Sequence, residues 1–165
     1  MPTDAIDLLI EDHREIRKLF KDFQDTGADA NRKKQLVSQI LEALTMHTYI
    51  ENECMYPETR RLVPDLNEAV LESYEEHHVA DVLGFELSMM SPDDEHFEAK
   101  TMVLIEAVTH HIEEEEKEWF PKVREAVPPQ QLQDLGARLA AMKNKAPRKP
   151  TAPRALKKAM DAVRA

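Results

Sequence analysis

Two stretches of this 165-residue chain carry the same set of potential metal donors. His47 and Glu51 stand four residues apart, as do His111 and Glu115, and His13 and His77 each precede one of these pairs by 33 intervening residues. Shifting the chain by 64 positions aligns the two halves without a gap. His13 falls on His77, His47 on His111, Glu51 on Glu115, Tyr56-Pro57 on Phe120-Pro121, Arg60 on Arg124 and Pro64 on Pro128. Residues i and i+4 share one face of an α-helix, so each His/Glu pair projects to the same side. A carboxylate in an apolar core loses several kcal/mol of hydration unless it is paired. Two metal ions would satisfy the whole set, with two imidazoles each and both carboxylates free to bridge. Imidazole with carboxylate and no thiolate suits iron or manganese and disfavours a structural zinc site.

The helices that must position these groups are legible in the spacing of apolar residues. Segment 4–24 places Ile6, Leu9, Ile10, His13, Ile16, Leu19, Phe20 and Phe23 on one face at intervals of three and four. Thr3 or Asp4 caps its start and Gly27 follows its end. Segment 31–55 repeats the pattern with Leu36, Ile40, Ala43, Leu44, His47 and Glu51, and Pro57 bends or ends it. Segment 66–90 carries Val70, Tyr74, His77, Ala80, Leu83 and Leu87. Segment 93–119 carries Phe97, Leu104, Ala107, Val108, His111 and Glu115, and Ser91-Pro92-Asp93-Asp94 has the form of its N-terminus. A fifth helix is expected over about 129–143. Four long helices with short links predict an all-α, up-down-up-down four-helix bundle with a short fifth helix.

The helical register decides between adjacent histidines. Positions 3, 6, 7 and 10 after His77 are Ala80, Leu83, Gly84 and Leu87, whereas those after His78 include Asp81 and Ser88, so His77 is the inward one. His111 follows Leu104, Ala107 and Val108 on its face, and His110 follows Glu106. His78, His96 and His110 are expected in solvent. A lone core histidine is usually a satisfied structural one, and a lone His-x3-Glu is often a surface hydrogen bond. Duplication of the whole set on the buried face argues against that reading.

Composition narrows the remaining classes. Three glycines and 5% aromatic residues oppose a β-sandwich or barrel. No apolar run is long enough to cross a membrane. Without a signal-like start, and with the single cysteine Cys54, a cytoplasmic location is expected. The net charge of −10 disfavours bulk affinity for nucleic acid, but it is unevenly spread. Residues 143–165 hold eight basic residues and one acid, a charge of +7 on a body of −17. The chain therefore divides into a bundle with its extra helix over 1–143 and a Pro/Ala/Lys-rich basic tail over 144–165. The tail is expected to be a flexible, solubilising appendage with room for a short helix from Arg154 onward, and contact with nucleic acid, other acidic partners or the chain's own acidic body would run through it.

The stretch Asp12-His13-Arg14-Glu15-Ile16-Arg17-Lys18-Leu19-Phe20, the two His-x3-Glu-x4-(Tyr/Phe)-Pro stretches and Glu75-Glu76-His77 together resemble the hemerythrin-like (HHE cation-binding) family over residues 4–127. The resemblance implies a four-helix bundle around a non-haem centre of two iron ions, oxo- or hydroxo-bridged. The family handles O2, peroxide or nitric oxide, or senses iron. It implies His13, His47, His77 and His111 as terminal ligands and Glu51 and Glu115 as bridges. Oxygen-carrying members have a further histidine one turn before the third-helix ligand, where this chain has Ser73, and an Asp one residue after the position of Glu115. These departures disfavour reversible oxygen storage and favour redox reactivity, peroxide removal being the most concrete form, or an iron- or gas-sensing module without turnover. The vacated nitrogen position is left exchangeable or open to an oxygen ligand. Tyr74, three before His77, is read as a packed aromatic with its hydroxyl at the edge.

Overall fold

The computed structural model describes residues 3–152, and these form helices without a strand. Helix α1 (Ala5–Asp25) starts on Asp4, whose carboxylate accepts a hydrogen bond from the Asp7 N–H at 2.9 Å. It ends before Gly27, at φ 71°. Helix α2 (Ala30–Ile50) is capped in the same way by Asp29. It then runs through one π-helical turn (Glu51–Met55) into α3 (Tyr56–Leu62). A 3-10 turn (Pro64–Leu66) leads to α4 (Asn67–Ser88). Helix α5 (Phe97–Glu114) passes through a second π-helical turn (Glu115–Trp119) into α6 (Phe120–Ala126), and α7 (Pro129–Lys143) follows.

Two expectations need correction. Segment 31–55 is not one α-helix, because Pro57 lacks an N–H and the chain accommodates it by widening the preceding turn and then continuing. The Ser91-Pro92-Asp93-Asp94 signal is realised as a turn, and α5 begins only at Phe97. Ser91 takes the N–H groups of Asp93 and Asp94, and Asp94 takes those of His96 and Phe97. The caps are satisfied locally, so the helix starts later.

Two apolar clusters hold the bundle together. One contains Ile6, Leu9, Ile50, Tyr56, Val70, Trp119 and Phe120; the other contains Ile16, Phe20, Ile40, Leu44, Leu87, Leu104 and Ile112. Each fully buried aliphatic side chain contributes about 1.5–3 kcal/mol. Helices α1 and α4 run from the first cluster to the second, and α2 and α5 run from the second to the first. That order is the up-down-up-down bundle. Helix α1 packs on α2, α4 on α5, and α7 lies across α1 and α2. Every long helix crosses between the clusters at its inward histidine, so all four histidines lie at one level.

After α7, Pro147, Pro150 and Thr151 line a cleft with Leu41, Tyr49, Asn52 and Asp81. The remainder of the basic tail, including the short helix expected from Arg154, falls outside the described residues. Among the described residues no helix is long and apolar enough to cross a membrane.

Candidate metal centre

The six donors singled out in the sequence meet between the two apolar clusters. His13, His47, His77 and His111 are at most 5% exposed, and Glu51 and Glu115 are fully buried. His78 is half-buried, and His96 and His110 are exposed. Donor atoms of His13, His47, Glu51 and Glu115 form one compact group, and those of Glu51, His77 and His111 form a second. Glu51 belongs to both.

The halves of the centre are related as the sequence repeat requires. The Nε2 atoms of His13 and His47 are 3.2 Å apart, and those of His77 and His111 are 3.1 Å apart. The ring pairs cross edge to face at 69° and 67°. The outward nitrogens face acceptors that also repeat at 64 residues. His47 Nδ1 donates to Asp12 at 3.0 Å, and His111 Nδ1 to Glu76 at 3.1 Å. His77 Nδ1 donates to Asn52 Oδ1 at 2.7 Å, and His13 Nδ1 faces Glu116 at the longer distance of 3.8 Å. None of these four partners was assigned a role from sequence, although their 64-residue spacing was readable. Glu116 is drawn inward between His13 and Arg17.

A neutral imidazole that donates from Nδ1 keeps its lone pair on Nε2. The arrangement therefore aims lone pairs at one another in the His77/His111 pair, while in the other pair His47 turns its lone pair toward His13, whose Nδ1 has no hydrogen-bond partner. Both oxygens of Glu51 and Oε1 of Glu115 accept no hydrogen bond, although Glu51 lies against His47 and Glu115 Oε1 lies 2.9 Å from His111 Nε2. Buried polar atoms left in this way cost about 1–3 kcal/mol each. Positive charge between the donors resolves both problems, and the donor set suits a cation such as iron or manganese.

Without a cation, protons must take that role. Burial alone would lower His47, but the Glu51 charge and Asp12 outweigh it and raise its pKa to about 10. Burial is likewise overcome at His111, chiefly by Glu115, which holds it well above the usual imidazole range. Burial and the charge of His111 push His77 down to about 3. Glu115 is held well below the carboxylate range, since the nearby His111 charge overrides its burial. A metal-free centre thus contains imidazolium–carboxylate pairs beside a neutral His77.

The site also contains a tyrosine that sequence reasoning missed. Tyr56 Oη lies 3.0 Å from His77 Nε2 and 3.1 Å from His111 Nε2, and donates to Glu115 Oε2 at 3.3 Å. Its ring stacks on His77 as Phe120 stacks on His13. The signal lay in the repeat, where position 56 carries a hydroxyl and position 120 does not. Tyr74 turns away, donating to the Asn52 carbonyl at 3.3 Å. A cavity of about 20 Å³, room for about one water molecule, abuts His47, His77 and His111 and is lined by Leu44, Ala80, Ala107, Val108 and Ile112.

Comparisons with known proteins show the family and the fold. The family described as the hemerythrin HHE cation binding domain matches residues 4–123. A solved structure of a hemerythrin HHE cation binding domain-containing protein from Mycobacterium kansasii has a TM-score of 0.74. It is 20% identical and covers 86% of each chain, a likeness of fold. A protein named DNA nickase from Nostoc sp. (strain PCC 7120 / SAG 25.82 / UTEX 2576) is 25% identical over 139 residues. That match takes in 84% of this chain but 39% of the Nostoc protein.

Proposed function

The chain belongs to the hemerythrin HHE cation-binding family, and from that premise we propose that it is a cytoplasmic diiron protein acting on peroxide, O2 or nitric oxide, with peroxide removal as its most concrete activity. His13, His47, Glu51 and Glu115 would hold one iron and Glu51, His77 and His111 the other, with Tyr56 as a further oxygen donor beside His77 and His111. When bound, the iron pair supplies redox electrons and Lewis acidity. The protein supplies selection and position. The apolar cavity beside His47, His77 and His111 admits only molecules near the size of water. Asp12, Asn52 and Glu76 fix the rings of His47, His77 and His111 with Nε2 inward. Tyr56 holds a proton at Oη among His77, His111 and Glu115, placed to exchange it with a small ligand there.

The observation that carries this reading is the convergence of four buried Nε2 atoms, paired at 3.2 Å and 3.1 Å, around the two unsatisfied Glu51 oxygens. The Nostoc protein's nickase activity is not carried over, since most of that protein lies outside the match and a body charge of −17 repels a phosphate backbone. A sensing module without turnover is the second reading, favoured by the contact between α7 and the outer shell of the centre. The test is metal analysis of the purified chain followed by iron reconstitution. About two irons per chain are expected, one for each donor group. Peroxide consumption supports the first reading, and a spectral response to O2 or nitric oxide without turnover supports the second. Reconstituted protein inert to all three ligands refutes the first reading and the gas-sensing form of the second, and failure to take up iron refutes both.

A further inference from the structure

Helix α7 begins after the residues that match the family, yet it reaches the centre. Its last residue, Lys143, donates to Oδ1 of Asp12, whose Oδ2 takes the His47 Nδ1–H. Asp12 is 5% exposed, so its charge is not shared with water. The opposite half of the centre has no such cation. Glu76 holds His111 in the equivalent way, is partly exposed, and has no lysine or arginine bound to it among the described residues. Nothing in the 64-residue repeat corresponds to Lys143, so α7 makes the two halves inequivalent.

We propose that Lys143 is a positioning residue which, through Asp12, fixes His47 and makes metal retention in the His13/His47 half depend on the docking of α7. The proposal rests on the metal-binding reading above. A carboxylate with one hydrogen bond rotates about its Cβ–Cγ axis; a second bond from Lys143 to the other oxygen fixes the plane that orients the His47 ring. The helix is anchored well enough to serve. Leu132, Leu135 and Leu139 are buried, and Gly136 sits so close to α1 that a Cβ there would come within 2.8 Å of the Ala5 nitrogen. Displacing α7, by a partner or by a larger side chain at 136, withdraws Lys143 from Asp12.

Cobalt(II) loaded into the full-length chain, with release to excess EDTA followed by its visible absorption, tests this. The parent should release its ions in two phases. Lys143→Gln should speed one phase about tenfold, within the usual range for outer-shell changes, and leave the other unchanged. Lys143→Arg should restore the parent rate. Asp12→Asn combined with Lys143→Gln should release no faster than Asp12→Asn alone, because the lysine acts through the carboxylate. Gly136→Val should speed the same phase with every charge intact. Parent-like release from Lys143→Gln, with only a lowered Tm, makes the lysine merely structural and overturns the proposal, as does additivity in the double variant. Failure of the parent to take up cobalt(II) or iron is a different result and removes the metal-binding reading itself.

Discussion

The metal-free chain should be most stable near pH 6.5 and weaken on both sides. His47 rises from 6.5 to about 10 on folding, so the folded state holds its proton more tightly than the unfolded chain does. That linkage is worth roughly 5 kcal/mol, fully present below pH 6.5 and lost at about 1.4 kcal/mol per pH unit as the pH rises toward 10. His111, also raised, steepens the same limb. His77 works in the opposite direction. Its folded pKa of about 3 means that the folded state excludes a proton the unfolded chain accepts, so stability falls as pH drops below 6.5. The depressed Glu115 adds to that acid limb. Urea denaturation of chelator-treated protein between pH 5 and 9 reads both limbs, and His47→Gln should flatten the alkaline one. Loading metal at neutral pH must evict the His47 and His111 protons, and calorimetry in buffers of different ionisation enthalpy should count about two released. A metal-free stability that is flat or rising from pH 7 to 9 would refute the imidazolium–carboxylate account of the core.

Glu51→Ala removes the carboxylate common to both donor groups. Metal content should fall below one ion per chain, and the rise in Tm on adding iron should vanish. Tyr56→Phe removes the hydroxyl that the other half of the repeat, with Phe120, lacks. It should cost about 1–2 kcal/mol in the metal-free chain by urea denaturation and alter the visible spectrum of the iron-loaded protein while leaving its iron content near the parent's. Ala80→Phe fills the small cavity beside His77. Stopped-flow mixing with nitric oxide should show slower ligand entry at unchanged iron content, and an unchanged rate would place the ligand path elsewhere.

The bundle and the convergence of six donors were legible because both depend on periodicity. Apolar residues at intervals of three and four set the helix faces, and the inward histidines are interruptions in those stripes. The 64-residue repeat then chose His77 over His78 and His111 over His110, and the structure buries the chosen member of each pair. Residues outside that logic were not found. The oxygens that face the outer ring nitrogens recur at the same 64-residue spacing, but Asp12 and Glu76 lie next to a histidine in sequence and bond to the histidine of the neighbouring helix. Their role depends on how the helices pack, which no single helix encodes. The Ser91-Pro92-Asp93-Asp94 turn misled for a related reason, since a cap and a free-standing turn use the same hydrogen bonds.

Tyr56 shows the limit most clearly, and its geometry explains why. At 100° per residue, five steps from Glu51 place residue 56 about 140° around an α-helix, away from the site. The chain between them is not α-helical. The Tyr56 N–H donates to the Glu51 carbonyl, an i→i+5 bond that closes one wide turn and brings residue 56 back toward the side of residue 51. Phe120 and Glu115 are related by the same bond. Pro57 and Pro121 stand immediately after these turns, where each withholds the N–H that a regular helix would use. The proline that reads as a helix breaker is thus coupled to the wide turn that places an aromatic ring over a histidine in each half. The choice of Tyr at 56 and Phe at 120 then decides which half receives a hydroxyl. Beyond the difference between Asn52 and Glu116, two features set the halves apart: Tyr56 beside His77 and His111, and Lys143 behind His47. The first lies within the repeat, and the second is contributed by a helix outside it.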